Sequence, residues 1–205
     1  FVRGTPGLHG YPRVNLLRWR WGRLFVQPGL RLGLQMAAVA AFLLVVAAGM
    51  VGHPNPTRNL APTVVWILWW VGFAYLSALV GNLWAVMNPW ATLFAWAERL
   101  YQRNDPDERL ALGLPYPAWL GVWPAVGLFL AFAWIELISR AAIDPPLLTL
   151  AIAGYSLLTW AGMFVFGRAV WLRHGDPFAL AFGVLARFAP TEIRVTDPAV
   201  CARCP

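Results

Sequence analysis

Cys201 and Cys204, separated by two residues near the end of the chain, are the sharpest local signal of chemistry. Two thiolates at this spacing can bind one zinc, supply part of an iron–sulfur cluster or form a redox pair. The chain holds 2 cysteines, so a four-ligand site needs partners from elsewhere. His174-Gly-Asp176 offers one histidine and one carboxylate, half of a metal or acid–base site. A helix-cap role accounts for Asp176, and His174 reads as an interfacial loop residue. His9 and His53 each stand alone, so no metal-binding histidine pair is expected.

Two further candidates lie inside apolar runs, where ionisable and amide groups are expensive. Glu136 is the one carboxylate in such a run, and Arg140 follows four residues later, within pairing reach on one helix face. Asn82 lies in the stripe Ser77-xxx-Gly81-xxx-Ala85, whose small residues let helices approach closely. Its amide is expected to bond a neighbouring helix. Arg168, near the end of another run, can snorkel to headgroups. No phosphate-cradling glycine loop, nucleophilic triad or dinucleotide fingerprint is visible.

The elements that must position these groups follow from composition. Of 205 residues, 60% are hydrophobic and 12% charged, with a mean hydropathy of +0.58. A soluble domain is nearer half apolar and a quarter charged, so this excess must face lipid or other apolar protein. About 20 apolar residues cross the hydrocarbon core as a helix. Runs of that length predict spans over 32–51, 62–87, 118–138 and 147–171. Open strands would leave backbone groups unpaired in lipid. The expected architecture is an all-α integral membrane bundle, with a basic segment 1–31, a transmembrane domain 32–190 and a tail 191–205. The chain opens on Phe1 and stops after Pro205, and is expected to be a piece of a longer protein.

All 16 basic residues are arginine, and the formal charge is +7. They flank apolar runs without forming a stripe, which points to anionic lipid headgroups and away from nucleic acid. The segments before span one, between spans two and three, and at or beyond the end of span four carry fourteen arginines; the other two loops carry Arg58 and Arg140. By the positive-inside rule both ends are expected in the cytoplasm of a bacterial inner membrane. Most tryptophans fall near a predicted interface, whereas Trp160 falls mid-span and should pack against another helix.

Two segments 88 residues apart resemble each other: Asn88-Pro-Trp-Ala-Thr-Leu-Phe-Ala-Trp-Ala-Glu-Arg-Leu100 and Asp176-Pro-Phe-Ala-Leu-Ala-Phe-Gly-Val-Leu-Ala-Arg-Phe188. Proline, alanine, phenylalanine and arginine recur at identical offsets, and Trp84 and Trp171 precede the two. Asn88 and Asp176 are natural helix caps, with proline suited to the first helical position. The pattern predicts a parallel two-fold internal repeat, each unit being two spans and one interfacial amphipathic helix, over 89–100 and 177–188. Phe94 and Phe182 would dip toward acyl chains while Arg99 and Arg187 meet lipid phosphates.

The stretch Leu79-Val-Gly-Asn-Leu-Trp-Ala-Val-Met-Asn-Pro-Trp-Ala-Thr-Leu93, with Trp171-Leu-Arg-His-Gly-Asp-Pro-Phe178 and Phe182-Gly-Val-Leu-Ala-Arg-Phe-Ala-Pro190, resembles bacterial multi-spanning membrane proteins labelled fenitrothion hydrolase-like. The resemblance covers roughly 60–190 and implies a longer parent with further spans. Its label implies cleavage of an organophosphate ester, although the clustered ligands of a metal-assisted hydrolase are missing. Three functions stay open: a permease-like or complex-forming membrane component, a membrane-embedded hydrolase, and a module with a cytoplasmic CxxC metal or redox site. Further transmembrane helices, from the parent or an oligomer, are the expected partners.

Overall fold

The computed structural model describes residues 27–103 and 109–191. The basic segment up to residue 26, and Cys201 and Cys204, lie outside the described residues. The described chain is all-helical, with four helices long and apolar enough to cross a membrane.

The first long helix, α1, covers Pro28–Val51, with Pro28 at its first position, where a missing N–H costs nothing. A three-residue turn follows, after which Asn59 accepts the Ala61 N–H and starts α2, Leu60–Val80. The middle of α2, Thr63–Val71, is π-helical, with the Gly72 N–H bonding Ile67 five residues back. A bulge of this kind commonly accompanies a functional site; here it carries Trp66, Trp69 and Trp70. Helix α2 stops at Gly81, whose φ of 125° suits glycine alone. Two short helices come next, α3 (Trp84–Met87) and α4 (Pro89–Tyr101).

The third apolar stretch, Ala118–Leu137, consists of a turn and helix α5, Trp123–Leu137. Asp144 then caps α6, Pro145–Phe166, which ends at Gly167 with φ 88°. Helix α7 (Arg168–His174) and helix α8 (Pro177–Leu185, continued by the turn Ala186–Phe188) repeat the break seen after α2.

Three boundaries differ from the sequence reading. The second span ends at Val80, well short of Met87, so Asn82 lies in the break and not within a span. The fourth ends at Phe166, so Trp171 belongs to a separate short helix. Glycine with positive φ ended each helix inside a run that hydropathy alone reads as continuous.

The short helices are the larger departure. Phe94 and Phe182, expected to dip into lipid, are 6% and 0% exposed. They sit in the main core with Trp84, Trp90, Met163, Trp171 and Phe178. Only Met163 in that group comes from a long helix. The rings meet edge-on, as in Trp69–Phe178 with centroids 4.6 Å apart and Trp90–Tyr155 at 5.0 Å, the arrangement favoured by aromatic quadrupoles. Trp69 is the tenth of the 21 residues of α2, and Tyr155 the eleventh of the 22 of α6. The starts of α4 and α8 are therefore level with the middle of the long helices. Each short pair climbs into the bundle and returns: α3 with α4, α7 with α8.

At the end where both pairs begin and finish, Arg168 of α7 meets Glu98 of α4 at 3.2 Å. Both are part-exposed, so this pair is worth about 0–1 kcal/mol. The opposite end of α1, α2 and α6 closes on Val45, Ala61, Val65 and Leu148. A third of the apolar window of α6 is buried and 6% of that in Ala118–Leu137, which leaves broad apolar faces outward.

Close approach of α7 to α6 requires Gly162, because a Cβ there would overlap the Trp171 ring. Gly127 in α5 has nothing nearby. Gly162→Ala is expected to destabilise by about 1–3 kcal/mol through overpacking, whereas Gly127→Ala should be neutral or stabilising by up to about 1 kcal/mol. Unfolding in detergent, followed by tryptophan fluorescence, checks the opposite signs.

Candidate functional site: a carboxyl at the meeting of two helix starts

Helices α4 and α8 both begin with an Asx-Pro pair, and both beginnings reach the same point. Asn88 accepts the Ala91 N–H through Oδ1 at 3.0 Å, capping α4. Asp176 accepts the Phe178 and Ala179 N–H groups through Oδ1 at 2.9 and 3.1 Å, capping α8. The two caps then bond each other: Asn88 Nδ2 donates to Asp176 Oδ2 at 3.0 Å, across 88 residues of sequence. Tyr155, from the middle of α6, donates its hydroxyl to Asp176 Oδ1 at 3.0 Å.

Asp176 is fully buried and Asn88 is 3% exposed. A carboxyl without water survives only with donors around it. Here four donors converge, two of them backbone amides at a helix start, where the macrodipole also favours negative charge.

Other polar groups tie the same elements. Trp90 donates to Ser156 Oγ at 2.7 Å, and Trp160 to the Trp90 carbonyl at 3.3 Å, joining α4 to α6. Trp160 thus packs against another helix, as its mid-span position suggested. The indole N–H groups of Trp84 and Trp171, which precede the two caps, are both buried without an acceptor among the described residues.

The remaining sequence candidates are scattered. Asn82 accepts the Ala85 N–H at 3.1 Å and starts α3, so its amide oxygen serves its own segment. Glu136 and Arg140 form no ion pair: α5 ends at Leu137, and Arg140 opens a separate turn capped by Ser139, which removes the shared helix face. Arg168 pairs with Glu98. His174 stacks on Tyr116 at 4.9 Å, and His53 Nδ1 accepts the Asn55 N–H at 3.0 Å. Arg99 and Arg187 are exposed. No group of three or more His, Cys, Asp or Glu is placed to hold a metal among the described residues. Tyr155 was not singled out from sequence, though a phenol in the middle of an apolar helix needs a hydrogen-bond partner.

Among the described residues, fold and site define an all-helical protein with four helices of membrane-crossing length and a buried polar junction among them. No family model, curated protein or solved structure matches the chain.

A double-mutant cycle tests the junction. Asp176→Ala removes a cap, worth about 0.5–2 kcal/mol, and leaves buried donors on Tyr155 and Asn88, about 1–3 kcal/mol each. Combined with Asn88→Ala in a double-mutant cycle it should show a coupling of about 0.5–3 kcal/mol, read by unfolding in detergent.

Proposed function

We propose that the chain is a permease-like component of a cell membrane, built from two like halves that each send a broken helix pair into the bilayer. Support comes from the direct bond between Asn88 and Asp176, the corresponding positions of the two similar segments. Each half runs long helix, positive-φ glycine, buried tryptophan, Asx-Pro, returning helix. Both long helices run the same way, so the repeat is parallel. In many transporters, repeats meet at a midplane site formed by interrupted helices whose starts face the substrate. A junction of a few hydrogen bonds, at the contact between two like bodies, is where such halves would part.

The arginine distribution orients the module with its broken pairs entering from the cytoplasmic side of a bacterial inner membrane. Arg99 and Arg187, near the ends of the returning segments, are then at the depth of lipid phosphates. The broad apolar faces would meet lipid, or further helices of a parent or oligomer. The hydrolase activity implied by the family resemblance, and zinc or iron–sulfur binding at Cys201 and Cys204, are the rival functions.

The test uses the full-length protein in right-side-out and everted vesicles, with Cys201 and Cys204 replaced by serine and Met87→Cys as reporter beside the junction. Adding Asn88→Ala should raise the reactivity of that thiol toward a membrane-impermeant reagent about tenfold, the equivalent of about 1.4 kcal/mol. Unchanged reactivity from both sides would reduce the junction to a static brace and leave only the complex-forming role. Phosphotriester hydrolysis above the level of empty membranes, abolished by Asp176→Ala, would replace the permease reading with the hydrolase one.

A further inference from the structure

Over the Asn88–Asp176 junction lies a cavity of about 680 Å³ lined by all four long helices. Its size is in the range of ligand pockets, roughly 300–1,000 Å³. Trp90, Tyr155 and Phe178 make its floor, and all three touch the junction: Trp90 and Phe178 follow the two caps, and Tyr155 bonds Asp176. Val45, Val65 and Leu148, all buried, make its roof, where α1, α2 and α6 converge. With floor and roof filled by side chains, the openings lie at the sides. The lining residues that remain exposed mark them: Ala37, Ala41, Leu68, Ala131, Gly154 and Leu158. On helices of membrane-crossing length, such openings face acyl chains and not water.

The walls also restrict charge. Among the described residues, no Arg, Asp, Glu or His lines the cavity. Asp176 lies behind the floor, but its two oxygens already accept four hydrogen bonds. Two helix starts, each equivalent to about half a positive charge, lie beside it. Anion and dipoles nearly cancel, so an anion would lose its hydration with nothing in return, and a cation would have only aromatic faces, with no counter-charge, to offset that loss. A phospholipid tail is a poorer fit than a free molecule. Its headgroup must stay at the interface, the roof blocks a straight path, and among the described residues no cationic side chain lines the openings to hold a phosphate.

We propose that this cavity binds a free, uncharged hydrophobic molecule that enters sideways from the bilayer. The proposal rests on the permease reading and names the substrate class of the same site. Small side chains, Ala41 and Ala151 among them, make the room; tryptophan at either position fills it.

The experiment labels full-length protein in native membranes with an uncharged alkyl diazirine, and locates adducts by mass spectrometry. Matching probes end in a carboxylate or a trimethylammonium group, and a fourth is a phosphatidylcholine with the diazirine in one tail. The uncharged free probe is expected to mark cavity residues such as Phe132 and Ile152, at least about fivefold more than either charged probe. Ala41→Trp and Ala151→Trp should each abolish these adducts while sparing those on the outward Leu43 and Leu157; either variant suffices if the other fails to fold. Three results overturn the proposal: equal labelling of cavity and outward residues, adducts insensitive to a folded filling variant, or cavity adducts chiefly from the phosphatidylcholine probe. Any of them leaves the Met87→Cys outcome intact, so failure of the ligand class and failure of the permease reading are separable.

Discussion

A carboxyl cut off from water must be surrounded by donors, and that requirement organises this protein. Asp176 takes two from the start of its own helix, one from Asn88 and one from Tyr155. Those donors belong to α8, α4 and α6, so satisfying one side chain fixes the relative position of three elements. A lost partner would not be replaced by solvent, since the site is fully buried. The same network places both broken helix pairs level with the middle of the long helices.

Once chains are in lipid, the hydrophobic effect no longer pushes helices together, because acyl chains are as apolar as leucine. Shape must do it. The core accordingly consists of large rings from the short segments, Trp84, Trp90, Phe178 and Phe182, packed edge-on or tilted against Trp69 and Trp70 of α2. The π-helical stretch of α2 bears both of those tryptophans. Gly162 and Gly175 leave room for the Trp171 ring. The long helices act as a frame, and the short ones fill it.

The frame was legible in the sequence because membrane-crossing helices follow from apolar length alone: four runs predicted four such helices. The filling was not. Phe94 and Phe182 were placed toward lipid because an amphipathic segment of 10 or so residues reads the same whether its apolar face meets acyl chains or a protein interior. Hydropathy has no term that separates the two. Asn82 was misplaced because Gly81 ends a helix within an unbroken apolar run, and glycine's φ is invisible to a composition window. Glu136 and Arg140 have the right spacing for a pair only if the helix continues, and it stops between them. The meeting of Asn88 with Asp176 is a long-range contact; the sequence supplied both caps and their shared motif, but nothing in either segment says that the two starts converge.

On the reading of two like halves, the difference between Asn88 and Asp176 has its own logic. A contact between equivalent residues sets like against like. Two aspartates here would place two carboxylates within hydrogen-bond distance in a dry interior, where one must stay protonated. Two asparagines would pair, but Tyr155 and the α8 amides would then bond to a neutral carbonyl oxygen, a weaker acceptor than a carboxylate. One of each makes the contact complementary: the amide supplies the proton that the carboxylate needs, at 3.0 Å, with no proton to place. That asymmetry also fixes which half holds the charge. It lies on the half whose helix start is joined by the Tyr155 hydroxyl, while Ser156, the next residue on α6, serves the other half by accepting from Trp90. Neighbouring positions of one helix thus address the two halves separately, so a movement of α6 along its axis would strain both contacts at once.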